Sequence, residues 1–230
     1  METSLKHKLL LALGCLAPVL SACGGGSDSP PPASAPAPTA PAAPVAAMPL
    51  ACKDLAGLAI PASAIALPTT GGAATEAIVV PAAGTGAAAV PEYCRVTGTI
   101  SPVDSTAPKI TFRVGLPATW NQKVTMFGGG GLDGTLPNVA GNVPAGPADQ
   151  PVPLARGYAT FASDSGHQAN ASGSLDGQFL LNDEALRNFG GQALKKTHDA
   201  ALYVINARYA AGAPKKAYFA GGSTGGREAL

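Results

Sequence analysis

This 230-residue sequence is poor in charge, in aromatic rings and in cysteine, and each shortage excludes something. Charged residues make up 13% of it, with 15 Lys+Arg against 14 Asp+Glu, and aromatics make up 5%. No basic patch is interleaved with aromatic side chains, so nucleic acid has no footprint here. The 4 cysteines and 3 histidines include no Cys-x-x-Cys pair, which leaves a zinc site with little support. No Gly-Lys-Ser/Thr follows the glycine run at 128–131, which argues against a phosphate cradle. What abounds is Ala, Gly and Pro, with 29 glycines and 22 prolines in a chain that is still 46% apolar. That composition suits a loop-rich domain rather than a disordered chain.

Lys6, His7 and Lys8 followed by the apolar stretch Leu9 to Leu20 read as a leader of residues 1–22, too short to span a bilayer comfortably. Leu20-Ser21-Ala22-Cys23 resembles the lipobox of bacterial lipoproteins, in which the cysteine sulfur takes a diacylglycerol. An ordinary secretory signal with a chance cysteine is the plainer alternative. Either reading predicts export, and a lipidated Cys23 predicts a periplasmic or outer-membrane-associated protein held to the membrane by several acyl chains. Residues 23–48 are Pro, Ala, Gly and Ser with one charge, Asp28, the composition of an extended tether. Once Cys15 leaves with the leader and Cys23 carries lipid, Cys52 and Cys94 remain, and in an oxidising compartment they most simply pair.

Residues 49–230 are enough for one domain with a real core. Short apolar runs broken by Pro and Gly come first: Thr75 to Val80, Tyr93 to Ile100, Lys109 to Leu116, Lys123 to Phe127 and Tyr158 to Ala162. Within the third, Ile110, Phe112, Val114 and Leu116 alternate with the period of a half-buried strand. Leu194, Thr197/His198, Ala201/Leu202, Ile205 and Tyr209 then recur at helical spacing, with Gly212 and Pro214 as stop signals. Strand Ala217 to Ala220 follows, and a helix starts at Arg227-Glu228-Ala229-Leu230. Strands first and a strand–helix alternation afterwards predict an α/β class, the opening part of an α/β-hydrolase.

Between that last strand and helix stands Gly221-Gly222-Ser223-Thr224-Gly225-Gly226-Arg227. Gly-x-Ser-x-Gly after a strand and before a helix is the nucleophile elbow, a strained turn that exposes a serine hydroxyl at the top of the sheet. The motif alone is weak, because a bland glycine-rich turn also explains it. A second run, Phe127-Gly128-Gly129-Gly130-Gly131-Leu132-Asp133-Gly134, follows another strand, where this fold builds the other half of its oxyanion hole. Ser223 is then the candidate nucleophile, with the Thr224 N–H and an N–H of Gly129 or Gly130 as oxyanion donors.

Tyr158-Ala159-Thr160-Phe161-Ala162-Ser163-Asp164-Ser165-Gly166-His167, the elbow with its preceding strand, the quadruple glycine, Cys94 to Ile100 and the helix carrying His198 together resemble the tannase/feruloyl esterase family. The resemblance covers nearly all of residues 50–230. It implies a serine esterase acting on aromatic or hydroxycinnamate-type esters, with no cofactor needed for the chemistry. It implies a Cys52–Cys94 disulfide, and a large lid after the elbow that commonly carries calcium and is not assigned to these residues. The family usually has a cysteine before the serine, bonded to one beside the catalytic histidine; Gly222 occupies that position here.

The triad of this fold runs Ser, then Asp or Glu, then His along the chain, so acid and base are expected beyond Leu230 together with the lid and the C-terminal half. Residues 1–230 alone would then be inert. His167 is the tempting local base, and the family pattern makes it structural instead; His198 reads as a packing residue on the helix stripe. Asp133 and Asp164 read as turn or network carboxylates, and Arg227 as satisfying a nearby carboxylate or capping the elbow helix. Competing readings are a non-catalytic lipoprotein remnant that binds a ligand, or a lipase or peptidase. Oligomeric state has no signal in the sequence.

Overall fold

The computed structural model describes residues 48–230 apart from Ser172. The leader, Cys23 and the tether up to residue 47 lie outside the described residues. No helix among the described residues is long and apolar enough to cross a membrane.

Seven strands form one sheet in the order β1-β2-β3-β4-β6-β5-β7. They are β1 (Ala59–Ile60), β2 (Gly71–Val80), β3 (Tyr93–Ser101), β4 (Ile110–Pro117), β5 (Lys123–Phe127), β6 (Ala159–Ser163) and β7 (Lys216–Ala220). β1 to β4 pair antiparallel as a meander, and β4 pairs antiparallel with β6. β5 then lies parallel between β6 and β7. The predicted strands all occur; β2 begins earlier than expected, because Gly71 to Ala74 continue the ladder opposite β3. All five residues of β6 are buried, as a strand covered on both faces requires.

Among the described residues three α-helices accompany the sheet: α1 (Asp183–Arg187), α2 (Ala193–Tyr209) and α3 (Thr224–Glu228). Asn182 caps α1 by accepting the Ala185 N–H at 2.9 Å, and a wide turn at Asn188–Gln192 leads into α2. α2 packs on β3, β4 and β6 and supplies the crossover to β7. It stops at Ala210, which takes a left-handed conformation with φ 50°, before the expected Gly212. Its buried face is Ala193, Lys196, Thr197, Ala200, Ala201, Val204 and Ile205, which keeps Thr197, Ala201 and Ile205 of the predicted stripe; Leu194 and Leu202 are only half-buried. Phe112, Phe161, Val96, Val114 and Ile100 from the sheet meet this face in one continuous core. Lys196 reaches Glu184 at 3.2 Å and Asn188 at 3.0 Å inside that core. Burial pushes the Glu184 carboxyl up, but the Asp104 and Val103 N–H groups and Lys196 outweigh it and hold the carboxyl below its ordinary range.

Cys52, in a 3-10 turn at Cys52–Leu55, is joined to Cys94 on β3 by a disulfide. With a sequence separation of 42, the link restricts the unfolded chain by about 4 kcal/mol in the chain-entropy model. Replacing both cysteines with alanine is therefore expected to lower Tm by roughly 8–16 °C, for a domain of this size. A thermal melt of the double variant showing no shift would mean that the N-terminal turn is held by packing alone.

Candidate active site

The three parallel strands deliver three loops to one edge of the sheet. Gly128 to Gly131 follow β5, Asp164 to His167 follow β6, and Gly221 to Ser223 follow β7. Ligands of open α/β sheets bind outside the carboxyl ends of the strands, and this is that edge.

Ser223 sits between β7 and α3 with φ 55° and ψ −122°. Such a backbone costs a non-glycine residue about 1–3 kcal/mol and persists only where its surroundings over-determine it. The surroundings are backbone. The Gly128 N–H donates to the Ala220 carbonyl at 3.0 Å, and the Gly225 N–H donates to the Gly129 carbonyl at 3.0 Å. The Thr224 hydroxyl donates to the Gly131 carbonyl. A Cβ on Gly225 would lie 2.9 Å from the carbonyl carbon of Gly128 and from the oxygen of Gly129, so the glycine loop and α3 approach as only glycines allow. Ser223 itself is exposed at the top of this arrangement. The helix begins immediately after it, at Thr224, three residues before the sequence-based start at Arg227.

The two oxyanion candidates of the glycine loop are not equivalent. Burial and the Asp133 carboxyl push the Glu228 carboxyl up to about 7, and the Gly129 N–H, which faces it, exerts only a small opposing pull. Among the described residues no acceptor meets the N–H of Gly130 or that of Thr224. Gly222 has open space: a Cβ there would touch only the Pro144 side chain, at 3.4 Å. Glycine is thus not required at this position.

Neither described histidine hydrogen-bonds the Ser223 hydroxyl. His167 is buried and stacked on Phe179, with ring centroids 3.5 Å apart, and burial holds its pKa below the ordinary value. His198 lies edge-on to Phe161 at 6.0 Å and meets Asp199 at 3.2 Å. Asp164 accepts the backbone N–H groups of Thr111 and Gly166 and the Gln168 amide, tying the β6 loop to β4. Burial pushes its carboxyl up to about 6 against those donors. Asp133 is fully buried and accepts the Ser165 hydroxyl, which also reaches Glu228 at 2.9 Å. Among the described residues Arg227 meets no carboxylate, one of the two roles expected for it; it lies 4.7 Å over the Phe189 ring and donates to the Phe189 carbonyl at 3.1 Å. Ser165 and Glu228 carried no signal in the sequence as site residues. Among the described residues no three His, Cys, Asp or Glu side chains gather to hold a metal ion.

An open α/β sheet with a strained, exposed serine on its strand-to-helix turn is the architecture of many hydrolytic enzymes. The sequence profile of the family "Tannase and feruloyl esterase" matches residues 94–230, and the chain belongs to that family. It is 45% identical over 184 residues to the uncharacterized esterase Atu5261 of Agrobacterium fabrum, covering 78% of this chain and 32% of that protein. It is 34% identical over 151 residues to a mono(2-hydroxyethyl) terephthalate hydrolase of Piscinibacter sakaiensis, covering 63% of this chain and 24% of that one. Among solved structures, an esterase from Aspergillus oryzae shares the fold with a TM-score of 0.54 at 20% identity, over 77% of this chain and 34% of its own. The chain thus spans a third or less of the length of these relatives.

Proposed function

We propose that this chain is the nucleophile-bearing part of an exported serine esterase that hydrolyses an aromatic or hydroxycinnamate-type ester through an acyl-enzyme on Ser223. The observation that carries the reading is the backbone of Ser223, φ 55° and ψ −122°, on an exposed turn held by the glycine loop. The free N–H groups of Gly130 and Thr224 support an oxyanion hole beside it, with Gly130 preferred over Gly129.

In this reading a base takes the proton of the Ser223 hydroxyl as its oxygen attacks the ester carbonyl. The Gly130 and Thr224 N–H groups stabilise the tetrahedral oxyanion, a contribution worth about 3–4 kcal/mol per donor. The alcohol leaves with the proton, and water then releases the acid from the serine. Acid and base come from the part of the esterase outside the described residues, since neither His167 nor His198 bonds Ser223. Lipidation at Cys23 would hold the enzyme at the outer face of a membrane, where small esters reach it by diffusion.

The test is a substrate panel on the full-length gene product. Hydrolysis of feruloyl, galloyl or terephthaloyl esters, with little turnover of tributyrin and peptides, is the expected result. Turnover confined to tributyrin or to peptides would assign a lipase or a peptidase instead.

A further inference from the structure

Behind the elbow lies a buried polar cluster that the acyl-transfer steps do not use. Asp133 closes the glycine loop, its N–H donating to the Gly130 carbonyl at 2.9 Å, and its side chain is completely buried. Ser165, on the loop after β6, is buried with φ 62°. Its hydroxyl touches the carboxyl groups of both Asp133 and Glu228, yet it has one hydrogen to give. Asp133 Oδ1 and Glu228 Oε2 are also buried and meet no donor among the described residues. Two ionised carboxylates here would place like charges side by side with orphaned oxygens, a costly arrangement in a desolvated site. One proton held between them removes both faults.

We propose that Asp133 and Glu228 share one proton beside the Ser165 hydroxyl, and that the three act as positioning residues fastening the glycine loop to α3 beneath Ser223. The pair sits against the first two glycines of the loop, next to the Gly130 peptide. A Cβ on Gly129 would lie 2.9 Å from Asp133 Oδ1, and one on Gly128 would lie 2.7 Å from Glu228 Oε2. Any separation of the two carboxyl groups therefore displaces the loop that carries the Gly130 N–H. The consequence for catalysis rests on the esterase reading; the shared proton does not.

Burial first, and the Asp133 carboxyl second, push Glu228 up to about 7, against smaller pulls from the Ser165 hydroxyl and the Gly129 N–H. The groups facing it are Asp133 from the glycine loop and Ser165 from the β6 loop, with His167 beyond Asp133 and held low in pKa by burial. Arg227, on the same helix, is turned onto Phe189, and Asp164 is turned to Thr111 and Gln168. Because the folded value lies above the ordinary 4.5, the folded chain retains a proton between those limits that the unfolded chain has released. The stabilisation is complete below the ordinary value and is lost as pH rises through about 7, where the pair becomes two like charges.

Glu228→Gln places a permanent amide donor against Asp133 and tests this in the full-length protein. The wild type is expected to lose stability relative to this variant between about pH 5 and 8, by on the order of tenfold to a hundredfold in the folding equilibrium. The kcat of the wild type should fall over the alkaline side of the same range with KM little changed, and Glu228→Gln should remove that fall. Should the variant not fold, infrared spectra of the wild type with carboxyl-labelled glutamate must show a protonated carboxyl that disappears near pH 7. Parallel stability curves for wild type and variant, or a glutamate carboxyl fully ionised at pH 6, would overturn the proposal. Divergent stability curves without any ester hydrolysis would keep the shared proton and reject the esterase reading.

Discussion

Ser223→Ala in the full-length protein is expected to lower kcat on a responsive ester by a factor on the order of 10⁴ to 10⁶, with KM little changed. The residual rate would come from binding and the oxyanion donors alone. Labelling by a serine-reactive fluorophosphonate should vanish with the hydroxyl. Stability should barely move, because alanine is as strained as serine at φ 55° and ψ −122°. Ser223→Gly separates the two effects: it removes the nucleophile and relaxes the backbone, and Tm should rise by roughly 2–4 °C for about 1 kcal/mol. Wild-type labelling that survives in Ser223→Ala would move the nucleophile elsewhere and sink the assignment.

Two neighbouring glycines should respond oppositely to the same methyl group. A Cβ on Gly221 would stand 2.4 Å from the carbonyl carbon and oxygen of Gly225, which are backbone and cannot rotate away. Gly221→Ala must push α3 off the end of β7, and a loss of about 3 kcal/mol or more is expected together with loss of labelling. Gly222→Ala meets only the Pro144 side chain at 3.4 Å and should stay within about 0.5 kcal/mol of the wild type. Thermal melts of the two variants in parallel decide it. Equal effects would show that the contact between α3 and the strand end is softer than its geometry.

The strands, the elbow and the glycine run were legible because their signals are local. Ile110, Phe112, Val114 and Leu116 alternate, and all four are buried on β4. The place of α2 was legible too, and its face in part: Thr197, Ala201 and Ile205 of the expected stripe are buried. Leucine outranks alanine in hydropathy, so Leu194 and Leu202 also marked the stripe; the sheet selects Ala200 and Val204 instead, whose small side chains permit a close approach. Lys196 reads as a surface residue until Glu184 and Asn188, from another helix and its exit turn, supply its partners. α1 is too short to show a period, and the glycines at 225 and 226 disguised the start of α3. The Asp133–Ser165–Glu228 cluster was invisible for a different reason. Its members are 32 and 63 residues from Ser165, and neither the positive φ of Asp133 nor that of Ser165 has a sequence signature.

The bonds that set the elbow against the glycine loop run from peptide to peptide, Gly128 to Ala220 and Gly225 to Gly129. Such a joint is indifferent to which side chains decorate its rim. Mutational drift at open positions such as Gly222 and Gly130, where a Cβ meets little or nothing, can remodel the mouth of the site while the serine keeps its posture. A library randomised at those two positions, with Gly128, Gly221 and Gly225 left alone, should yield many folded members that differ in which ester they accept.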